Sequence, residues 1–196
     1  MKDKTRCGWE GNTELMIRYH DSEWGVPVHD DRMLFEFLTL DAFQAGLSWA
    51  GILGKRENFR AAFDNFDPAK IAKYDQQKVA QLLQNPGIIR NKSKITCSIS
   101  NAQNFLKIQQ EFGSFDQYIW QFTDGKTIVN QWQELSQVPA SSPQSDAMSK
   151  DLKARGFKFV GSIICYAFMQ AAGMVNDHLL GCFRYQELAG PTESRP

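Results

Sequence analysis

Apolar residues recur at intervals of three and four along most of the chain, whereas runs that alternate apolar and polar residues are nearly absent. The first spacing puts apolar side chains on one face of a helix, and the second is typical of a half-buried strand. Helical stripes are clearest over residues 33–49, 51–63, 75–83 and 91–112. The pattern therefore predicts an all-α fold.

Local signals mark the start of two helices. Asp67 comes directly before Pro68, and an acidic cap followed by proline at the first helical position is a typical helix start. Ser114 and Gln117 have the spacing of a capping box, in which two side chains bond the first free amides of a helix. Each pair predicts that a short helix begins at that point.

The last third of the chain combines a loop signal with an apolar segment. Residues 136–143 are rich in proline and serine, which predicts a loop ahead of a last helical section that starts near Ser145. Residues 157–173 are apolar on nearly every side, which predicts a central buried helix. Because the connections between the predicted helices are short, we expect an orthogonal helical bundle.

The length of 196 residues, with 42% hydrophobic and 22% charged residues, is enough for a packed core. We expect residues 1–196 to form one unit. Within it, residues 30–135 are predicted to form a helical lobe, and residues 1–29 together with 145–185 a second lobe. We expect residues 186–196 to be a flexible tail.

The net charge and the cysteine content indicate which binding partners and which cellular compartment to expect. The formal net charge is zero, so a nucleic-acid site has to come from a local basic patch. The first residues are polar, and no stretch reaches the roughly 18 apolar residues of a membrane span. We expect a cytoplasmic protein that does not bind membranes. The cysteines are too sparse for a disulfide-rich secreted domain, so reduced thiols or metal ligands are expected at Cys7, Cys97, Cys165 and Cys182.

Two cysteines and two histidines near the ends of the chain form a candidate metal site: Cys7, His20, His178 and Cys182. Two thiolates and two imidazoles are a typical tetrahedral zinc set. His178 and Cys182 are four residues apart and would share one face if that stretch were helical. A filled four-ligand site has no open position for a substrate, so its role would be to join the two terminal segments. The spacing alone equally allows ordinary buried cysteines and polar histidines.

One carboxylate, that of Asp41, falls on the apolar stripe of a predicted helix. Such a residue is either a cap or ion-pair partner, or a group that faces a cationic ligand or transition state. Aromatic residues are frequent nearby, namely Trp9, Tyr19, Trp24 and Trp49. With one carboxylate they would form a pocket for a flat, positively charged base. Each ring is equally compatible with plain core packing.

A basic turn lies between two helical patterns at residues 86–94. From Gln76 to Gln110 the chain has no acidic residue, while its basic residues are Lys78, Arg90, Lys92, Lys94 and Lys107. A hairpin whose amides and lysines point outward can hold phosphates without reading the base sequence. The alternative is a solvated basic helix face.

Several ordered motifs together resemble the bacterial 3-methyladenine DNA glycosylase I family, a branch of the helix-hairpin-helix glycosylases. The resemblance covers nearly the whole chain. Its motifs are at residues 6–9, 19–21, 23–27, 44–49, 55–58, 87–90, 156–161 and 176–178, with Cys182.

The resemblance implies a monofunctional and monomeric enzyme. Such an enzyme hydrolyses the N-glycosidic bond of 3-methyladenine in double-stranded DNA and leaves an abasic site. The resemblance also implies one structural Zn²⁺ on the Cys/His set and a base pocket lined by Trp49, Tyr19, Trp24 and Trp9. Gly46 and Leu47 would fill the gap in the duplex. The DNA-binding helix-hairpin-helix would have its hairpin at 86–94, with contacts from Gly87, Ile88, Ile89, Arg90, Lys92 and Lys94.

Two positions depart from the family pattern. Asp41 stands where the family usually has Glu, and Met16 stands where an aromatic residue often lines the pocket. We expect Asp41 to be the catalytic carboxylate, recognising the base and favouring an oxocarbenium-like state. The shorter side chain leaves open a non-catalytic protein that binds damaged DNA. A zinc hydrolase is a third class, but it would need an open metal position.

Overall fold

Helices make up most of residues 4–189, the part of the chain that the computed structural model describes. Two short strands pair in parallel, with Ile128 opposite Val175. The helices are α1 (Glu14–Ser22), α2 (Asp31–Gln44), α3 (Trp49–Leu53), α4 (Arg56–Ala62), α5 (Pro68–Ile71), α6 (Gln76–Gln84), α7 (Lys92–Phe112), α8 (Phe115–Ile119), α9 (Pro143–Ala154), α10 (Ser162–Ala171) and α11 (Phe183–Ala189), and the strands are β1 (Ile128–Val129) and β2 (Val175–Asn176).

The prediction of a mostly helical protein is confirmed, but the fold is not purely α. The strands β1 and β2 have only two residues each, which is too short for an alternating pattern to be visible in the sequence. Their pairing brings the segment after Thr127 beside the segment that leads to His178. It therefore joins two parts of the chain that are about 50 residues apart.

Helix α2 lies at the centre of the core, with every residue from Leu34 to Phe43 buried. It packs against α3, α7, α8 and α10. The ring of Phe35 contacts Phe105 of α7, and Phe105 in turn stacks on Phe115 of α8 at 4.1 Å between ring centroids. Side chains from three helices thus interlock around α2.

Both local start signals are confirmed. The Asp67 carboxylate accepts hydrogen bonds from the amides of Ala69 and Lys70, and Pro68 is the first residue of α5. The Ser114 hydroxyl accepts from the Gln117 amide at the start of α8. These signals work because the cap and the amides that it bonds are neighbours in sequence.

Some predicted helices are shorter than their apolar stripes. The helix that contains most of the 33–49 stripe, α2, ends at Gln44, and the 51–63 stripe is divided between two helices, α3 and α4. The central apolar helix predicted over 157–173 is wrong at its start, because α10 begins at Ser162. The Asn101 side chain bonds both the amide and the carbonyl of Lys158. This pairing holds 157–161 in an irregular conformation, in which Phe159 has a φ of 56°.

The division into two lobes stays a prediction. Residues 186–189, expected in a flexible tail, form the end of α11, while the rest of that expected tail, 190–196, lies outside the described residues. Between residues 4 and 189, no helix combines the length and the apolar character that crossing a bilayer requires.

We expect Phe105→Ala to lower the free energy of unfolding by about 3 to 5 kcal/mol, since the ring is fully buried between two other rings and its loss leaves a cavity. Urea denaturation followed by circular dichroism measures this change. Gln110→Ala, an exposed position on the same helix, is the control and should change stability by less than about 0.5 kcal/mol. Equal effects of the two substitutions would contradict the described core.

Candidate functional site

A cavity of about 460 Å³ opens between α2, α3, α10 and the segments around α1. The predicted aromatic residues all line it: Trp9, Tyr19, Trp24 and Trp49. The Tyr19 and Trp49 rings are 5.3 Å apart, and the Trp9 and Trp24 rings are 4.8 Å apart. The four rings therefore serve as the wall of a pocket and are not simply core.

Sequence reasoning missed the opposite wall of this cavity. Val138 and Pro139 line it from the predicted loop, Leu135 lines it from the residue just before that loop, and Ala167 and Ala171 line it from α10. Small alanines leave room beside the helix, whereas the loop residues enclose the cavity. Proline and serine signals identified the loop but gave no indication of what it covers.

Asp41 lies on α2 at the inner end of this cavity and is only 2% exposed. Its Oδ2 atom has no hydrogen-bond partner in the described part of the chain. Burial alone raises the pKa of the Asp41 carboxyl well above its usual range. Asp41 is therefore neither a helix cap nor an ion-pair partner among residues 4–189, and burial favours the neutral form of its carboxyl.

Two further polar groups at the cavity are buried without a partner. The indole nitrogens of Trp9 and Trp49 donate to no acceptor among the described residues. A buried donor or acceptor without a partner costs about 1 to 3 kcal/mol, so such groups usually mark a place for a ligand or water. Together with Asp41 Oδ2, they belong to residues that line one pocket.

The Asp177 carboxyl, which also lines the cavity, is bonded by four donors and is the second feature missed from sequence. Its Oδ1 accepts from Asn130 Nδ2 at 2.6 Å and from Trp132 Nε1 at 2.8 Å. Its Oδ2 accepts from Tyr166 Oη and Gln170 Nε2, both at 2.8 Å. Asp177 thereby links the segment that contains Asn130 and Trp132 to α10.

The four predicted metal ligands come together in the structure. Their ligand atoms all lie within 4.8 Å of one another, and all four residues are buried. Cys7 Sγ is 3.4 Å from His178 Nδ1, and Cys182 Sγ is 3.5 Å from both His178 Nδ1 and His20 Nε2. The spacing argument supposed that His178 and Cys182 share a helix, but in the structure they do not. They lie on a turn in which the Cys182 amide bonds the Leu179 carbonyl.

Both imidazoles in this group are held by a second contact. His20 Nδ1 is 2.8 Å from Asp21 Oδ1, and Arg6 makes two hydrogen bonds of 2.8 Å to the same carboxylate. The Arg6 bonds are the main reason that the pKa of Asp21 falls to about 2. His178 Nε2 is 3.1 Å from the carbonyl of Trp24. Metal-binding histidines are typically oriented in this way.

The Cys/His group lies directly beside the aromatic wall of the cavity. The Trp24 ring is 4.6 Å from the His178 ring, and the Trp9 ring is 5.5 Å from the His20 ring. Tyr19 and His20 are neighbours on α1, with Tyr19 lining the cavity and His20 in the Cys/His group. The two sites therefore share their supporting residues.

Helices α6 and α7 are joined by the turn predicted as a hairpin, in which Arg90 and Lys92 are exposed. Ile88 is buried in the core, and Ile89 packs against it. Gly87 approaches Asn58 so closely that an added Cβ would lie 3.1 Å from its side chain. The turn is thus anchored by its apolar residues and presents its basic ones to solvent.

Lys94 corrects the expectation that the lysines of this turn point outward. It is only 7% exposed, and its Nζ donates to the carbonyls of Phe43 at 2.8 Å and Ala45 at 2.6 Å. These carbonyls lie at the end of α2, which has no basic residue of its own in its last turn. The Lys94 ammonium therefore bonds backbone carbonyls inside the protein and does not point to solvent.

The turn between α2 and α3 presents the predicted gap-filling residues. Gly46 has a φ of 79° and is exposed, and Leu47 is 47% exposed. A positive φ favours glycine at this position. Met16, the other departure from the family pattern, is buried in a small cluster with Tyr19 and Leu53.

Comparison with known proteins gives consistent matches over this whole architecture. A family model described as methyladenine glycosylase matches residues 9–185. DNA-3-methyladenine glycosylase 1 of Escherichia coli strain K12 is 50% identical over 180 residues, which cover 92% of this chain and 96% of the relative. A crystal structure of 3-methyladenine DNA glycosylase I matches with a TM-score of 0.89 at 52% identity, covering 91% of this chain and 98% of its own.

A further solved structure concerns the structural basis of 3-methyladenine recognition by 3-methyladenine DNA glycosylase I from Staphylococcus aureus. It matches with a TM-score of 0.90 at 35% identity, covering 92% of this chain and 96% of its own. The family resemblance predicted from the motifs is confirmed by sequence and by fold. The chain belongs to the methyladenine glycosylase family.

Proposed function

We propose that the protein is a DNA glycosylase that removes 3-methyladenine from alkylated double-stranded DNA by hydrolysing its N-glycosidic bond. The observation that carries the proposal is one aromatic cavity lined by Asp41, Trp9 and Trp49, whose Oδ2 and indole nitrogen atoms are buried without partners among the described residues. The names of the matched relatives support the same substrate.

The pocket suits a flat cation. In DNA, 3-methyladenine carries a positive charge, and aromatic faces attract cations by about 0.5 to 2 kcal/mol each. An enzyme that acts on a base in a duplex has to extrude it from the stack. Trp49 stacks on the extruded base, while Tyr19, Trp24 and Trp9 complete its surroundings.

Asp41 is the group that responds to the charge of the base. A nearby cation favours the ionised form of a carboxyl, so the bound cationic base stabilises the Asp41 carboxylate against the burial that opposes its charge. That carboxylate stabilises the positive charge that develops on the sugar in the oxocarbenium-like state. Because Asp is one methylene shorter than the Glu usual in the family, its carboxylate reaches about 1.5 Å less far, so the base lies closer to α2 or the contact passes through water.

The leaving group needs little help because the base is already cationic. Water completes the hydrolysis and an abasic site remains. None of the described residues that line the cavity is a lysine, and Lys94 directs its amine to two carbonyls. A lyase reaction through a lysine adduct needs a free amine at the sugar, so the enzyme is monofunctional.

Helices α6 and α7, with the turn between them, act as the helix-hairpin-helix that binds the DNA backbone. The first amides of α7 have no intrahelical acceptor, and a helix start attracts phosphate. Exposed Arg90 and Lys92 add positive charge there, and Leu47 fills the gap left by the extruded base. The proposal includes a monomer that acts on cellular DNA in the cytoplasm.

One structural Zn²⁺ per chain is also part of the proposal. Zinc bonds of about 2.0 to 2.3 Å in a tetrahedron place N and S ligands about 3.3 to 3.8 Å apart, and the three short separations in the group are 3.4 to 3.5 Å. The bound ion would supply cross-linking of the terminal segments. With four protein ligands no position is left for a substrate, which argues against a zinc hydrolase.

The first test is release of free bases from dimethyl-sulfate-treated duplex DNA, resolved by chromatography. We expect release of 3-methyladenine with little 7-methylguanine, and a loss of about 100-fold or more in kcat for Asp41→Asn, which removes the charge at constant size. Asp124→Asn, at an exposed position, is the control and should match the wild type. Tight binding of the damaged duplex without base release would instead indicate a non-catalytic damage binder.

Metal analysis tests the zinc proposal. We expect about one zinc per chain in protein purified without chelators, and loss of the zinc with about 4 kcal/mol of stability in Cys182→Ser, since the ion binds only the folded chain. His29→Ala is the matched control, because His29 is exposed and contacts Asp116 instead of the Cys/His group. Equal zinc content and stability in the two variants would overturn the assignment.

A further inference from the structure

Lys94 occupies an unusual position for a lysine next to a DNA-binding turn. It belongs to the first turn of α7, yet its ammonium is buried against the last carbonyls of α2. These carbonyls have no intrahelical donor because the helix ends there, and the negative end of the helix dipole favours a cation. Lys94 thus caps α2 from a different helix, across 49 to 51 positions of sequence.

The Lys94 ammonium is held without an acidic partner. No ion pair of Lys94 is present among residues 4–189, and its Nζ lies 5.9 Å from the centroid of the Phe159 ring. Burying a lysine in this way is costly unless its protons are bonded. Burial lowers the pKa of Lys94, in keeping with this environment. The hydrogen bonds to two carbonyls therefore offset most of the free-energy cost of burying the Lys94 ammonium.

The contacts of Lys94 join the two regions that handle DNA. On one side, Arg90 and Lys92 of the α6–α7 turn are within four residues of it. On the other side, Ala45 directly precedes Gly46 and Leu47. We propose that Lys94 is a positioning residue. It fixes the turn between α2 and α3 that carries Leu47, the Leu47 turn, relative to the α6–α7 turn that binds phosphates. The DNA backbone is then bound in the same arrangement of the two turns in which the base is extruded. This inference rests on the proposed glycosylase function.

A link of this kind differs from a phosphate contact in two measurable ways. A lysine on a phosphate releases a counterion, so its removal lowers the salt slope of binding by about 1. Lys94 is bonded to protein and releases none. A misplacement of about 1 Å at a reacting site costs up to about 100-fold in rate, so loss of the link lowers the excision step itself.

The experiment compares Lys94→Met with Lys92→Met and Lys150→Met. Duplex binding is measured against salt, base extrusion by the fluorescence of 2-aminopurine beside the lesion, and excision in single turnovers at saturating enzyme. We expect Lys94→Met to keep the wild-type salt slope while extrusion and excision fall roughly tenfold or more. Lys92→Met should lower the slope by about 1. Lys150→Met, exposed on α9, should resemble the wild type.

A double-mutant cycle with Leu47→Ala separates positioning from a general loss of structure. If Lys94 acts through the Leu47 turn, the two substitutions together slow excision by much less than the product of their separate effects. Independent multiplication of the effects overturns the inference, as does a reduced salt slope with unchanged excision in Lys94→Met. If Lys94→Met folds poorly by circular dichroism, the cycle is run with Lys94→Gln.

The proposed function can fail separately from this inference. Absence of 3-methyladenine release by the wild type would reject the glycosylase function. The 2-aminopurine signal would still report whether Lys94 and Leu47 are coupled in base extrusion. Unchanged extrusion in Lys94→Met would then reject the link.

Discussion

Helix α2 passes through the core with every residue from Leu34 to Phe43 buried, so each polar group on it needs a partner from elsewhere. Glu36 is paired with Arg56 and Arg60 of α4. The carbonyls at the end of the helix are bonded by Lys94. Asp41 is the carboxyl whose Oδ2 atom is left without a partner in the described chain. The acidic group of α2 that has no partner among residues 4–189 is thus the one that lines the pocket.

The pocket and the Cys/His group are supported by the same residues. Trp9 and Trp24 contact both the cavity and the imidazoles of His20 and His178. Asp177, next to His178 in sequence, bonds both the loop side of the cavity and α10. In the proposed glycosylase a rigid aromatic wall is needed because a stacked base gains most when ring spacing is maintained. The proposed zinc cross-link behind the wall would provide that rigidity without entering the cavity.

The sequence was sufficient for features whose partners are local or whose chemistry is distinctive. Asp67 and Ser114 cap helices through amides two or three residues away, and the Cys/His set is recognisable by its ligand chemistry. Lys94 could not be assigned in this way. Its acceptors are backbone carbonyls, which every residue has, and they lie about 50 positions away. The irregular 157–161 segment was missed for a similar reason, since Asn101 imposes it from α7.

In the proposed glycosylase, the isolation of Asp41 discriminates between damaged and normal adenine. At an effective dielectric constant near 20, a charge pair 4 Å apart gains about 4 kcal/mol, from which the free energy of ionising the buried carboxyl is subtracted. Undamaged adenine is neutral, so it gains no such attraction from the Asp41 carboxylate. It is also a poor leaving group. A buried carboxyl without a partner therefore selects for charge on the base, while the aromatic wall accepts any flat ring, and selectivity arises from the combination of the two.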